Sequence, residues 1–176
     1  MKRSLLLWAP LAAFIALATL MIFGLRKPDD QLHPSKLVGT PVPEFALPAA
    51  AQGLPGVSNK TLAGQGPHLV NIFASWCIPC VAEAPQLKAI AEAGVPIVGV
   101  AVRDRREDLA EFLGRYGNPF RAIGADDQSR VQLALGSSGV PESFVIDSKG
   151  IIRLQKIGPI NPDDVPSIIA AVQAAQ

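Results

Sequence analysis

The only two cysteines in the chain, Cys77 and Cys80, are separated by Ile78 and Pro79. A Cys-x-x-Cys pair supports three kinds of chemistry: metal ligation, a structural bridge, or a reversible dithiol couple. A metal would need two more ligands, and the histidines are His33, in a polar Pro-containing stretch, and His68, at the far end of the strand leading to the pair. No metal is therefore expected. A bridge closing so short a loop removes little chain entropy, so a structural disulfide would add little stability. The dithiol couple is left as the leading interpretation. The apolar run before Trp76 ends as a strand and a helix begins at Ile78. The unpaired N–H groups and positive dipole end of that helix then face the first sulfur. A thiol ordinarily titrates near ~8.5, and this setting favours the Cys77 thiolate, which makes it the attacking sulfur. Cys80 lies one turn further in, is better buried, and resolves the mixed disulfide. Pro79 occupies the first turn, where its missing N–H costs nothing.

Glu83 precedes Leu87 by four residues and Ile90 by seven, which puts it on the apolar face of the same helix. An acid placed there is desolvated, its pKa is raised, and it can exchange a proton with Cys80. The interior Pro85 is the competing influence, because a kink would turn Glu83 outward. Trp76 is either a groove wall for a partner peptide or part of the core edge.

Positioning these residues requires alternating strands and helices. Leu69–Ala74 reads as a strand, Ile78–Ala93 as a helix and Ile97–Val102 as a strand, which is βαβ patterning with a parallel sheet. The next helix has Asp104 at its N-cap with Glu107 three residues on, an apolar stripe of Leu109, Phe112, Leu113 and Tyr116, and Gly117 at its exit. A shorter helix follows, capped by Asp126 and burying Val131, Ala134 and Leu135. Phe144–Asp147 and Ile151–Ile157 flank a type I turn and form an antiparallel hairpin. A last helix starts at Asn161-Pro162 and buries Val165, Ile168, Ile169 and Val172. Residues 38–68 are rich in Pro, Gly and Ala and predict loops or a small hairpin. The sum is an α/β domain with a mixed sheet and helices on both faces.

The net charge of +1 excludes a polybasic nucleic-acid binder. Gly (15) and Pro (16) are enriched, yet below the level of low-complexity chains, so a folded domain with many turns is expected. From Leu5 to Leu25 no residue is charged, a length sufficient for a transmembrane helix. A cleaved signal peptide is the rival, with Ala16-Leu17-Ala18 as its cleavage site. The apolar run continues past that point, which favours an uncleaved anchor. The organisation expected is an anchor over 1–25, a linker over 26–37 and a domain over 38–176.

The segment from Leu69 through Trp76-Cys77-Ile78-Pro79-Cys80, together with Gly139-Val140-Pro141, resembles the thioredoxin superfamily. More narrowly, Val38–Phe45, Gly117–Phe120, Gly139–Asp147 and Gly150–Arg153 resemble the membrane-anchored thiol:disulfide oxidoreductases of bacterial cytochrome c biogenesis, the CcmG/DsbE family. That resemblance implies a thioredoxin-like fold with an N-terminal extension and a single transmembrane helix. It also implies a bacterial inner-membrane location with the domain in the periplasm, and no cofactor beyond the cysteine pair. The activity implied is reduction of apocytochrome c or of a partner maturation thiol protein, with electrons supplied by a membrane reductase of the CcdA or DsbD kind. It further implies a cis Val140–Pro141 bond that presents the backbone of Val140 to a substrate strand, and Glu142 as an acid lining a groove. Family members keep an acid at the position of Glu83, and Asn71 stands where thioredoxins carry a buried aspartate. The rival functions are a general oxidant or isomerase on this fold, and a membrane-tethered binding module with inert cysteines.

Overall fold

The computed structural model describes residues 2–25 and 37–175. The first group is one helix, α1 (Lys2–Leu25), a unit separate from the domain that follows. Its described side chains are exposed except for the half-buried Ala18, and Trp8, Leu11, Phe14 and Leu20 are among the exposed ones. The helix expected over 1–25 is thus present, but among the described residues no helix is long and apolar enough to cross a membrane. Most of the linker expected over 26–37, including His33, lies outside the described residues.

The domain opens with a short antiparallel hairpin, β1 (Ala46–Leu47) and β2 (Val57–Ser58), followed by a one-turn helix, α2 (Asn59–Leu62). The turn is closed by a capping box between Ser58 and Thr61. Next come β3 (His68–Phe73), α3 (Ile78–Glu92), β4 (Ile97–Val102), α4 (Arg106–Tyr116), β5 (Ala122–Asp126), α5 (Arg130–Ala134), β6 (Glu142–Ile146), β7 (Ile152–Ile157), a 3-10 turn at Pro162–Asp164, and α6 (Val165–Ala174). The main sheet runs β5-β4-β3-β6-β7. The first three strands are parallel, β6 pairs antiparallel with β3, and β7 pairs antiparallel with β6 at the edge.

Central strand β3 is buried along its whole length, and its alternating residues feed two cores. Leu69 and Phe73 face α3, α4 and α6 through Leu87, Ile90, Leu109, Phe112, Ile168 and Val172. Val70 and Ile72 face the opposite layer, with Leu62, Val131 and Leu135. Helices on both faces therefore sandwich a mixed sheet, as expected. Phe73 stacks on Phe120 at 4.7 Å between ring centroids, and Gly99 leaves the room: a Cβ there would lie 2.8 Å from Phe73.

Strand β5 was not expected from the sequence. Its Ala-Ile-Gly-Ala core has little β-propensity, and what holds it is tertiary packing. Gly124 lets Leu47 and Val57 of the small hairpin lie directly on the strand, since a Cβ would meet Leu47 Cβ at 2.7 Å. A second correction concerns α4. Its N-cap is Arg105, with no side-chain cap bond, because the Asp104 carboxylate is turned toward Ser75 instead. Asp126 does serve α5, accepting from the backbone N–H groups of Arg130 and Gln132.

Candidate active site

β3 delivers the chain to the carboxyl edge of the sheet. A tight turn follows, in which the Cys77 N–H donates to Ala74 O at 3.2 Å. Cys77 is the N-cap of α3, with its backbone extended (φ −89°, ψ 110°). Its Sγ takes the place of a capping oxygen, accepting from the Cys80 N–H at 3.3 Å. Pro79 falls in the first turn, where it breaks no helical bond. Cys77 and Cys80 are joined as a disulfide with their Cα atoms 5.2 Å apart. Cys77 keeps 5% of its surface and Cys80 1%, so the first sulfur is the more reachable. Exposed Trp76 (59%) and Ile78 flank it.

The peptide bond Val140–Pro141 is cis, and the Val140 carbonyl oxygen lies 3.6 Å from Cys77 Sγ. Pro141 is buried and Val140 half-buried, and the Cys77 contact brings this turn to the bridge that Trp76 and Pro79 neighbour in the chain.

Glu83 is completely buried on the α3 face that meets the sheet, one turn beyond Cys80. Pro85 does not turn it outward. Its two oxygens accept from Asn71 Nδ2 and from the Ile160 N–H, each at 2.9 Å. Burial pushes its pKa up from 4.5 to about 7, although those two bonds and the positive charge of Lys156 pull the other way. Asn71 also donates to Ser143 Oγ, which stands directly opposite on β6, while Asn71 Oδ1 has no hydrogen-bond partner among the described residues. Lys156, itself buried, pairs with Asp164 at 3.2 Å.

Glu142 departs from expectation. It does not line an open groove: it is 1% exposed and bound to Gln155 Nε2 and to the Ser138 N–H. Strand alternation explains this. Ser143 faces Asn71 and α3, so Glu142 points to the opposite layer, beside Ile72 and Phe144. His68, at the other end of β3, is buried with Nδ1 2.8 Å from Gly66 O, and burial lowers its pKa.

Two contacts around the cysteines were missed by sequence reasoning. Ser75 donates to Asp104 through both its N–H (2.6 Å) and its hydroxyl (2.5 Å), and Trp76 Nε1 donates to Arg103 O at 3.2 Å. The helix-start pattern after Val102 had assigned Asp104 elsewhere. A groove beside Trp76 is lined by Ser75, Val81, Asp108, Phe112, Arg115 and Tyr116.

A cysteine pair bridged at a helix N-terminus beside a proline turn, on a sheet of this topology, defines a thioredoxin-fold thiol:disulfide oxidoreductase. The Redoxin family pattern matches residues 37–172. The chain is 37% identical to the thiol:disulfide interchange protein DsbE of Allochromatium vinosum, over 99% of this chain and 97% of that one. It is 38% identical to the DsbE of Pseudomonas fluorescens biotype C, over 92% and 88%. A crystal structure from Chlorobium tepidum that carries the DsbE name superposes with a TM-score of 0.66 at 28% identity, over 78% of this chain and 96% of that one. The chain belongs to the Redoxin family and, within it, to the CcmG/DsbE thiol:disulfide interchange proteins.

Proposed function

We propose that the protein is a dithiol reductant of c-type cytochrome maturation, acting on the disulfide of an apocytochrome c or of a partner thiol protein. The observation that carries the attack order is Cys77 Sγ at the N-cap of α3, accepting the Cys80 N–H and less buried than Cys80. In the reduced protein, the Cys77 thiolate attacks one sulfur of the target disulfide. One target thiolate leaves, and a mixed disulfide forms. Cys80 gives its proton to the Glu83 carboxylate and attacks the Cys77 sulfur. The second target thiolate leaves, and the Cys77–Cys80 bridge closes. Two electrons pass to the target, and a membrane dithiol donor of the CcdA or DsbD kind restores the reduced pair. No cofactor is needed, because the electrons travel in the couple itself.

Several placements support this sequence of steps. A pKa near neutrality lets Glu83 hold or release a proton at working pH. Trp76 and Pro79 are exposed beside the sulfur, and the Val140 backbone lies against it, where an extended target segment would pair. Glu142 contributes from below, fixing the Ser138–Pro141 loop through the Ser138 N–H rather than touching substrate.

The uncharged run Leu5–Leu25 supports a membrane anchor, and the cysteine pair supports a domain on the periplasmic side, where disulfide chemistry goes on. Carbonate extraction of membranes tests the anchor, the chain being expected in the pellet and its release into the soluble fraction counting against it. Protease digestion of the domain in intact spheroplasts tests the side, protection counting against a periplasmic domain. The redox role is tested with Cys80→Ala. That variant is expected to accumulate a mixed disulfide through Cys77, seen on non-reducing gels and lost with reductant. Absence of any adduct through Cys77 would refute the attack order.

A further inference from the structure

The turn Ala74–Cys77 has few bonds of its own. One backbone bond, Cys77 N–H to Ala74 O, closes it. Cys77 at its far end is held by α3, through the bridge to Cys80 and the Cys80 and Val81 N–H groups, whereas the side-chain hydrogen bonds of Ser75 and Trp76 all go to the β4–α4 loop. Asp104 takes both donors of Ser75, and the adjacent Arg103 carbonyl takes the Trp76 indole. Arg103 adopts φ 47°, a left-handed conformation that an L-residue holds only when its surroundings impose it. Its N–H donates to Asp126 O at 3.2 Å and its carbonyl faces Trp76, so the loop is tied on both sides. The N-cap of α4, Arg105, makes no side-chain cap bond, and both oxygens of the neighbouring Asp104 serve Ser75 rather than the helix start. Bonds from neutral donors to a carboxylate are stronger than neutral pairs, so this is the firmest tie on the segment that enters the cysteine turn.

We propose that Asp104 is a positioning residue for thiol–disulfide exchange: through Ser75 it holds the turn that keeps Cys77 Sγ on the N-terminus of α3. The inference rests on Cys77 being the attacking sulfur. If the turn loosens, Sγ spends less time against the Cys80 N–H, the thiolate loses that support, and Cys77 becomes a weaker acid. The charge of Asp104 acts in the opposite sense, because removing a nearby anion alone would make Cys77 a stronger acid. The sign therefore separates the two roles. The titratable and charged groups around the turn among the described residues are Cys80 and Glu83 on α3, Arg103 on the loop, and Asp108, Glu111 and Arg115 on α4, and all of them are unchanged in the comparison.

The test uses the reduced full-length chain in detergent, with the rate of Cys77 alkylation by iodoacetamide followed against pH and mapped by mass spectrometry. Asp104→Ala is expected to move the midpoint to higher pH and to lower the thiolate fraction at neutral pH about two- to fivefold. Asp104→Asn, which keeps one acceptor oxygen, is expected to fall between Asp104→Ala and wild type, with Ser75→Ala smaller still and the exposed Glu107→Ala unchanged. A midpoint that stays put while thermal stability drops would make Asp104 a structural strut only and overturn the proposal. A shift to lower pH would assign it a purely electrostatic effect and overturn it equally. If Asp104→Ala does not fold, Asp104→Asn decides the matter. Failure of Cys77 to react in the wild-type chain would instead refute the proposed function.

Discussion

Glu83→Gln should change the pH dependence of stability by an amount that follows from the burial of this one acid. In the unfolded chain Glu83 titrates near 4.5, and in the fold near about 7. Below 4.5 both states hold the proton, and the group's contribution to stability is fully present. Between these values the native state keeps a proton that the unfolded chain has released, so stability falls as pH rises. Above about 7 the native carboxylate is ionised as well, and the loss is complete. At about 1.4 kcal/mol per pH unit, the displacement corresponds to about 3 kcal/mol. A glutamine cannot ionise, so the variant should lack this loss. The Asn71 amide, whose Oδ1 has no partner among the described residues, can turn over to accept from the introduced amide. The assay is urea unfolding of full-length wild type and Glu83→Gln in detergent, both oxidised, from pH 4.5 to 8. His68, which burial keeps neutral, drives stability the other way as pH falls, but it cancels between the two proteins. Wild type should lose about 3 kcal/mol more than the variant across this range. Parallel curves would mean that Glu83 does not carry a raised pKa, and the proton-transfer role would lose its basis.

Three further outcomes follow from specific contacts. Asp147 accepts from the Lys149 and Ile151 N–H groups and from Arg153 Nε, and pairs with Arg153 Nη2 at 2.6 Å. Although its burial opposes ionisation, these bonds hold its pKa below the usual carboxylate range. Asp147→Ala should therefore cost about 2–3 kcal/mol in urea unfolding at neutral pH, and an unchanged midpoint would show the hairpin turn to be self-supporting. Gly124→Val should cost about 1–3 kcal/mol by pushing Leu47 and Val57 off β5, and wild-type stability would mean that the small hairpin yields freely. Trp76→Ala should raise KM about five- to thirtyfold for a peptide disulfide while leaving reduction of the bridge by dithiothreitol nearly unchanged, and equal losses in both assays would assign Trp76 to holding the turn rather than to docking.

The parts of this structure that could be read from sequence are those governed by local spacing. β4 matched residue for residue, and α3 and α6 lay within a few residues of expectation because their apolar faces repeat with helical period. Glu83 followed from the same periodicity, and its burial against β3 outweighed the effect of Pro85. What was missed depends on contacts distant in sequence. β5 exists because a hairpin some seventy residues earlier packs on Gly124. The hidden position of Glu142 depends on the register of β6 against β3, which fixes which layer each residue faces and leaves no local trace. Asp104 matched a capping pattern, yet its carboxylate was claimed by Ser75, 29 residues upstream. Asn71 was visible as a departure from thioredoxins, whereas its partnership with Glu83 and Ser143 emerges only from the packed sheet.

The central claim is that Cys77 and Cys80 form one reversible two-electron couple poised to donate electrons. Redox equilibration against glutathione or dithiothreitol buffers tests it most directly. The account predicts a single two-electron transition, well below the value of about −120 mV typical of strong oxidants, that disappears in both Cys77→Ser and Cys80→Ser. A value near about −120 mV, or a bridge that does not titrate, would contradict it.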